Sequence, residues 1–295
     1  MALPHILLAL ITVFLWGFNF VVIKIGVTDM PPLFLTALRY LCAAVPLVFF
    51  LPKPNVPWRH MIVYGMAMGF VQFGLLYPAI KLGLPAGLAS LVIQSQAFFT
   101  LALAVLFLGE RPLPSQIAGA VIAFGGLAVI GIERMTMAAF MPLLMCIGSA
   151  IAWAFGNIVN RRVGQVNAVS FVAWTSLVPV LPLAALSLVV EGPGAIVEGL
   201  VNATPMTAFV VIYMAYGATI VGAGIWSYLL LRYPAGTVAP FSLLVPVVGF
   251  VSAYLAFAEH ITILEVLGGG LVILGLVLNV FGRRFAFSRI SSGAA

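Results

Sequence analysis

Charge is what this sequence has least of. Only 7% of its 295 residues are charged, 13 Lys or Arg and 7 Asp or Glu, where a soluble domain carries about 25%. So few charged side chains cannot clothe a water-soluble globule of this size, which excludes a soluble enzyme, a nucleic-acid binder and a disordered scaffold. Cysteine is nearly as scarce. Cys42 and Cys146 each sit inside an apolar run, so neither a disulfide framework nor a CxxC metal spacing is available. The chain also lacks a GxxxxGK[ST] phosphate cradle and an HExxH zinc pattern, and His5, His60 and His260 fall at the ends of apolar runs. An enzyme working within a membrane needs a nucleophile, a base or a metal cluster at depth. The expectation is therefore a non-enzyme with no ATP motor, no cofactor and no metal.

What the chain has in abundance is hydrophobic residues, 64% of the total. A membrane-spanning helix needs about 20 mostly apolar residues. Ten runs meet that requirement: 5–25, 33–51, 60–80, 86–108, 113–132, 138–160, 168–190, 205–231, 236–258 and 262–282. Breakers separate them: Pro31-Pro32, Pro52 to Pro57, Pro112 with Pro114, Gly192-Pro193-Gly194, and Pro234. The alternating ten-residue segments of a membrane β-barrel are not seen. The first run is too long for a signal peptide and nine more follow it. The fold class is all-α integral membrane, with short connections and no room for a soluble domain.

Basic residues orient the chain. The connections on the side of both termini hold Lys53, Arg59, Arg111, Arg161, Arg162, Arg232, Arg283, Arg284 and Arg289, against Lys24, Lys81 and Arg134 on the other. The positive-inside rule then places both termini in the cytoplasm, in a bacterial-type inner membrane. Arg39 falls within the second run, about 9 Å in at 1.5 Å per residue, where snorkelling to the outer interface is expected.

An internal repeat is the most informative feature. Residues 85–127 align without gaps on 234–276 at an offset of 149. Pro85-Ala86-Gly87 matches Pro234-Ala235-Gly236, Glu110 matches Glu259, Gly119 matches Gly268, and Gly126-Leu127 matches Gly275-Leu276. Upstream, Trp16 and Phe18 match Trp153 and Phe155, and Lys24 matches Arg161. Each repeat (1–134 and 135–295) carries five helices. Five is odd, so the second copy is inserted upside down, and Glu110 and Glu259 lie on opposite sides. Inverted repeats meeting near the midplane give many secondary transporters two alternative openings from one fold.

The stretches LFLGERPLPSQIAGAVIAFGGL and AFAEHITILEVLGGGLVILGL, with LWGFNFVVIK in the first helix and YPAIKLGLPAG closing the third, resemble the drug/metabolite transporter superfamily, EamA type. Within it the chain looks most like the YddG-type aromatic amino-acid exporters. The resemblance implies ten helices in two inverted halves around a central cavity lined by helices 1, 3, 4, 6, 8 and 9. It also implies a Pro in the fourth helix of each half; this chain has Pro246 in one and Ala97 in the matching place.

Polar, uncharged groups at depth on those helices are the candidate substrate-binding residues. Trp16 and Asn19 share one face of helix 1, and Trp153 and Asn157 share the matching face of helix 6. Gln72, Gln94, Tyr213, Tyr216 and Ser242 lie at similar depth, while Tyr77 and Lys81 stand at the end of helix 3. Gln94 and Gln96 cannot both face one path. Amides facing lipid are costly, so these faces point inward; interhelical packing bonds are the competing reading for each. Glu110 and Glu259 are expected to favour the positive amino terminus of the helix that follows. Aromatics, amides and a hydroxyl suit a zwitterion with an apolar or aromatic side chain.

The sequence thus reads as a secondary exporter of small zwitterionic metabolites, in particular aromatic or large apolar amino acids. It would work by alternating access as a monomer, with a small-molecule substrate and the lipid bilayer as its only partners. The alternatives are a channel-like or structural membrane protein, or an exporter of another metabolite or drug class. A cationic-drug pump would need an acid at depth. The acids Asp29, Glu110, Glu133, Glu191, Glu198, Glu259 and Glu265 instead lie near run ends, which favours a facilitator over a proton-driven carrier. In a Cys-free background, Glu259→Cys is expected to react with an impermeant thiol reagent from outside intact cells. Glu110→Cys and tags on either terminus should react only after permeabilisation, and the reverse pattern would refute the inverted repeat.

Overall fold

In a computed structural model of the chain, the described residues, 1–133, 137–164, 166–233, 235–259 and 262–291, form helices and no strand. The predicted repeat boundary at 134/135, with Arg134, Pro234 and His260, lies outside them. Ten principal helices run α1 Leu3–Asp29, α2 Pro32–Val48, α3 Trp58–Lys81, α4 Ala86–Leu108 and α5 Pro114–Glu133, then α6 Met137–Val163, α7 Ala168–Val190, α8 (205–232), α9 (235–257) and α10 Ile263–Ser291. Among the described residues, nine are long and apolar enough to cross a membrane; α2 is shorter, with 17 residues. At 1.5 Å per residue it still measures about 26 Å, close to the hydrocarbon thickness. A short extra helix, Pro193–Val201, joins α7 to α8. Most of the expected spans agree to within a few residues; the second ends at Val48, because Phe49 and Phe50 already form a turn ahead of Pro52.

The third and fourth helices of each half break in repeat-related places. In the third helix of each half the winding widens to a π turn, over Met66–Val71 in α3 and Tyr213–Val221 in α8. In the fourth it tightens to a 3₁₀ turn, over Ile93–Ser95 in α4 and Ala239–Leu244 in α9. The offset of 149 carries Ile93–Ser95 onto Ser242–Leu244, so the break is kept where one half has Pro246 and the other Ala97. Pro179 also interrupts α7, between Ser176 and Val180.

The halves meet through glycine. Gly119 and Gly126 of α5 face Gly275 and Gly268 of α10, so that repeat-matched glycines meet across the junction. A Cβ at Gly119 would sit 2.6 Å from the Gly275 carbonyl oxygen, and one at Gly268 would sit 2.7 Å from that of Gly126. In lipid no hydrophobic force drives helices together, so close backbone approach through small residues supplies the contact.

Packing is uneven from end to end. The largest cluster of buried side chains uses Phe20 to Met30 of α1, Leu76 to Ile93 of α3 and α4, Ala123 to Ile130 of α5, Leu143 to Ala150 of α6, and Val210 to Met214 of α8. All of these lie toward the end away from the termini. A separate cluster at that end joins α2 and α7 through Leu33, Ala37, Tyr40 and Leu183, and smaller ones lie at the terminal end. One cluster joins α1, α8 and α9 through Ala9, Leu229 and Val238; another joins α3 and α7 through Met61 and Phe171, with Val56 of the preceding loop. Gly119→Ala and Gly268→Ala are expected to lower the Tm of the detergent-solubilised protein by several degrees. Gly125→Ala should not, because a Cβ there meets nothing within 4 Å; equal effects at all three would refute the glycine junction.

Candidate functional site

The π turn of α8 builds the centre of the site. An extra residue per turn displaces carbonyls from their normal helical partners, and side chains use them. The Met214 carbonyl accepts from Thr219 Oγ1 at 2.7 Å, and the Ala218 carbonyl accepts from Trp16 Nε1 at 3.0 Å. Trp16 also lies against Trp226, ring centroids 5.3 Å apart, and over Gly222, where a Cβ would collide with the indole. Tyr213 donates from Oη to the Leu15 carbonyl at 3.0 Å and meets Phe18 edge-on. The matching π turn in α3 repeats the device, with the Met68 carbonyl accepting from Tyr40 Oη at 3.2 Å.

The other sequence-predicted residues fall into separate groups. Asn157 Nδ2 of α6 donates to Gln96 Oε1 at 2.8 Å and to Thr100 Oγ1 at 3.1 Å on α4. Gln94 points elsewhere, its Nε2 donating to the Ser242 carbonyl of α9 at 3.2 Å; the 3₁₀ turn over 93–95 parts the two glutamines. Trp153 packs half-buried against the main core, and Tyr216 and Ser242 are half-buried. Lys81 does not join this level. Its Nζ donates to the carbonyls of Val27 and Thr28, tying the end of α3 to the end of α1. Asn19 Oδ1 and Gln72 Oε1 are buried with no hydrogen-bond partner. Two crevices, of about 310 and 460 Å³, lie away from these residues, one beside the 51–55 loop and one between α4, α5 and α6.

Arg39 departs from the expectation of snorkelling. It is 4% exposed and turns into the bundle. Its Nε and Nη2 donate to Thr219 Oγ1 at 3.1 and 2.8 Å, and its Nη1 donates to Tyr77 Oη at 2.7 Å. The guanidinium lies 4.2 Å from the Phe73 ring centroid, and Tyr77 Oη contacts Met214 Sδ at 3.0 Å. The residue was visible in the sequence as an Arg within a span. Its inward course was not, because Tyr77 and Thr219 come from helices far along the chain.

At the two ends stand repeat-matched ion pairs. Away from the termini, Lys24 Nζ meets Glu259 Oε1 at 2.7 Å and lies 4.3 Å from the Phe257 ring centroid. The same carboxylate accepts from the amides of Ala86 and Gly87 at 2.9 and 3.1 Å. At the terminal end, Arg161 Nη1 meets Glu110 Oε1 at 2.7 Å. The settings differ: the Glu259 side chain is 9% exposed, that of Glu110 48%. Each glutamate follows a left-handed residue, Gly109 at φ 65° and Ala258 at φ 48°. That backbone is disfavoured for alanine, and it precedes the residue that must reach back across the bundle. The expected role is corrected accordingly. Glu259 does not serve the helix after it, where Thr262 Oγ1 accepts from the Glu265 amide and Glu265 Oε2 from the Thr262 amide, each at 3.2 Å. It serves the amino terminus of α4, in the other repeat.

Comparison with known proteins agrees with this architecture. The model of the EamA-like transporter family matches twice, at residues 3–132 and 140–281, one match per five-helix half. A probable amino-acid metabolite efflux pump of Escherichia coli (strain K12) is 43% identical over 284 residues, covering 94% of this chain and 95% of its own. Another protein of that description, from Salmonella typhimurium, is 43% identical over 286 residues, covering 94% and 95%. A probable terminal-alkyne amino-acid exporter of Streptantibioticus cattleyicolor is 27% identical, covering 93% of each chain. One solved crystal structure superposes with a TM-score of 0.59 over 93% of this chain and 95% of that one, at 17% identity, which shows the shared fold. With ten helices in two inverted five-helix repeats, this multi-pass membrane protein belongs to the EamA-like transporter family.

Proposed function

We propose that the protein exports amino acids and amino-acid-like metabolites across the inner membrane by alternating access, with both termini in the cytoplasm. The unequal state of the two repeat-related ends carries this reading. The end away from the termini is closed by the largest buried cluster, by Lys24 and Glu259, and by the α4 amides. At the terminal end the buried clusters are smaller and Glu110 stays half exposed. With cytoplasmic termini this is the inward-facing form, which loads from inside, as an exporter must. The outward-facing form exchanges the roles. Glu259 leaves Ala86 and Gly87, and Glu110 takes the repeat-matched amides of Ala235 and Gly236, so each half closes one side.

The names borne by the relatives support the substrate class. The aromatic residues Trp16, Trp153, Tyr213 and Tyr216 suit aromatic or large apolar side chains. Transport runs down the substrate's own gradient, since the seven acids lie near helix ends and a proton-driven carrier needs a titratable group at depth.

Reconstituted protein should show saturable counterflow of labelled phenylalanine or leucine; linear flux without counterflow would mean a pore. Glu259→Gln removes charge-assisted bonds worth about 1.5–3 kcal/mol, which shifts the population about tenfold or more toward the outward-open form. The expected reading is faster labelling, from outside, of a Cys near the α4 amino terminus. Unchanged labelling would sink the gate. A pH gradient alone should drive no uphill accumulation, and accumulation that Glu110→Gln or Glu259→Gln abolishes would overturn the facilitator reading.

A further inference from the structure

A guanidinium buried in a bilayer-spanning bundle calls for an anion. Membrane proteins keep such groups where they face the interior and do work, because burying the charge is costly. Arg39 has neutral partners only, the hydroxyls of Thr219 and Tyr77 and the face of Phe73. Among the described residues no carboxylate reaches it. Glu259 is held by Lys24 and the α4 amides, Glu110 by Arg161, and Glu191 by the amides of Leu33 and Phe34 with the Ser187 hydroxyl. A guanidinium offers five N–H donors, and the three bonds to Thr219 and Tyr77 leave one on each terminal nitrogen. A carboxylate accepts from two such N–H groups when it binds a guanidinium.

A second, independent feature complements the first. Asn19 and Gln72 are 6% and 1% exposed, and the side-chain oxygen of each is an acceptor without a donor. Unsatisfied buried acceptors are rare and call for a partner. Both residues lie about 14–15 Å from the end away from the termini at 1.5 Å per residue, and Arg39 about 10 Å. Their helices, α1 and α3, pack on one another and on α2, which carries Arg39. A cation with several N–H donors would satisfy both oxygens.

We propose that Arg39 binds the α-carboxylate of the transported amino acid, while the oxygens of Asn19 and Gln72 receive its ammonium group. The assignment rests on the exporter reading and sharpens it: the substrate carries a free carboxylate beside an amine, and amines or amides lacking the carboxylate are rejected. A carboxylate on the remaining N–H groups would leave the bonds of Nε and Nη2 to Thr219 in place.

The test is competition against labelled phenylalanine counterflow in proteoliposomes of the full chain. Phenylalaninamide and 3-phenylpropionate lack the carboxylate and the amine respectively. Each is expected to compete about 10- to 100-fold more weakly than phenylalanine, the range for losing a charged hydrogen-bonding group. Arg39→Gln should abolish the preference for phenylalanine over phenylalaninamide, and Asn19→Leu with Gln72→Leu should abolish that over 3-phenylpropionate. Arg39→Lys, which keeps the charge without the fork, should retain only part of the first preference. Phenylalaninamide competing as well as phenylalanine on the wild-type protein overturns the assignment whether or not any variant folds. So does an unchanged preference in a folded Arg39→Gln protein. Wild-type protein that exchanges no amino acid overturns the exporter reading and this assignment together; exchange of amino acids and their amides alike overturns the assignment alone.

Discussion

Glu259 carries the bond on which the closed end depends. One carboxylate satisfies two amides at the start of α4, at 2.9 and 3.1 Å, and pairs with Lys24 at 2.7 Å on α1. Amides at a helix amino terminus have no partner within their own helix, so an anion from another element is worth more there than on an open surface. Glu259 belongs to the second repeat, and Lys24, Ala86 and Gly87 to the first. The bond therefore measures whether the two repeats are together at that end. Its counterpart, Glu110 with Arg161, likewise joins the two repeats at the other end but is half exposed there. The two repeat-matched pairs thus differ in burial, Glu259 being 9% exposed and Glu110 48%.

The remaining polar groups follow from the lack of water within the hydrocarbon, where backbone groups must find partners in the protein. The π turns in α3 and α8 release carbonyls, and Tyr40 and Trp16 bind them from neighbouring helices. These bonds fix helices against one another at mid-depth and leave a winding defect where a helix bends at little cost. The glycine junction of α5 and α10 does the reverse. Backbones in direct contact over two repeat-matched positions cannot slide without collision, so this junction holds α5 and α10 in register.

Arg39 shows how a charge is tolerated in such a frame. The ring of Phe73 and two hydroxyls hold the guanidinium in place, and cation–π and neutral hydrogen bonds lower the cost of burial without cancelling the charge.

Run length and repeat were legible in the sequence because they answer to local constraints. Bilayer thickness acts on each apolar stretch separately, so ten spans could be read without knowing any neighbour. Duplication leaves residues matched in order along the two halves, at an offset of 149 for Glu110 with Glu259 and 137 for Lys24 with Arg161, before any contact was known. The same matching could not say what those residues touch: Glu259 serves α4 and not the helix that follows it, because φ 48° at Ala258 turns the chain back across the bundle. Nor could it place the π turns, since no Pro marks them, or separate Lys81 at the rim from Gln72 at depth by more than an estimate. The fate of Arg39 was equally hidden. An Arg within a span can reach water or turn inward, and the sequence near it is the same in both cases. Tyr77 and Thr219 decide between them, and only tertiary packing brings those two helices to α2, since hydrogen bonds between helices depend on which faces meet and not on distance along the chain.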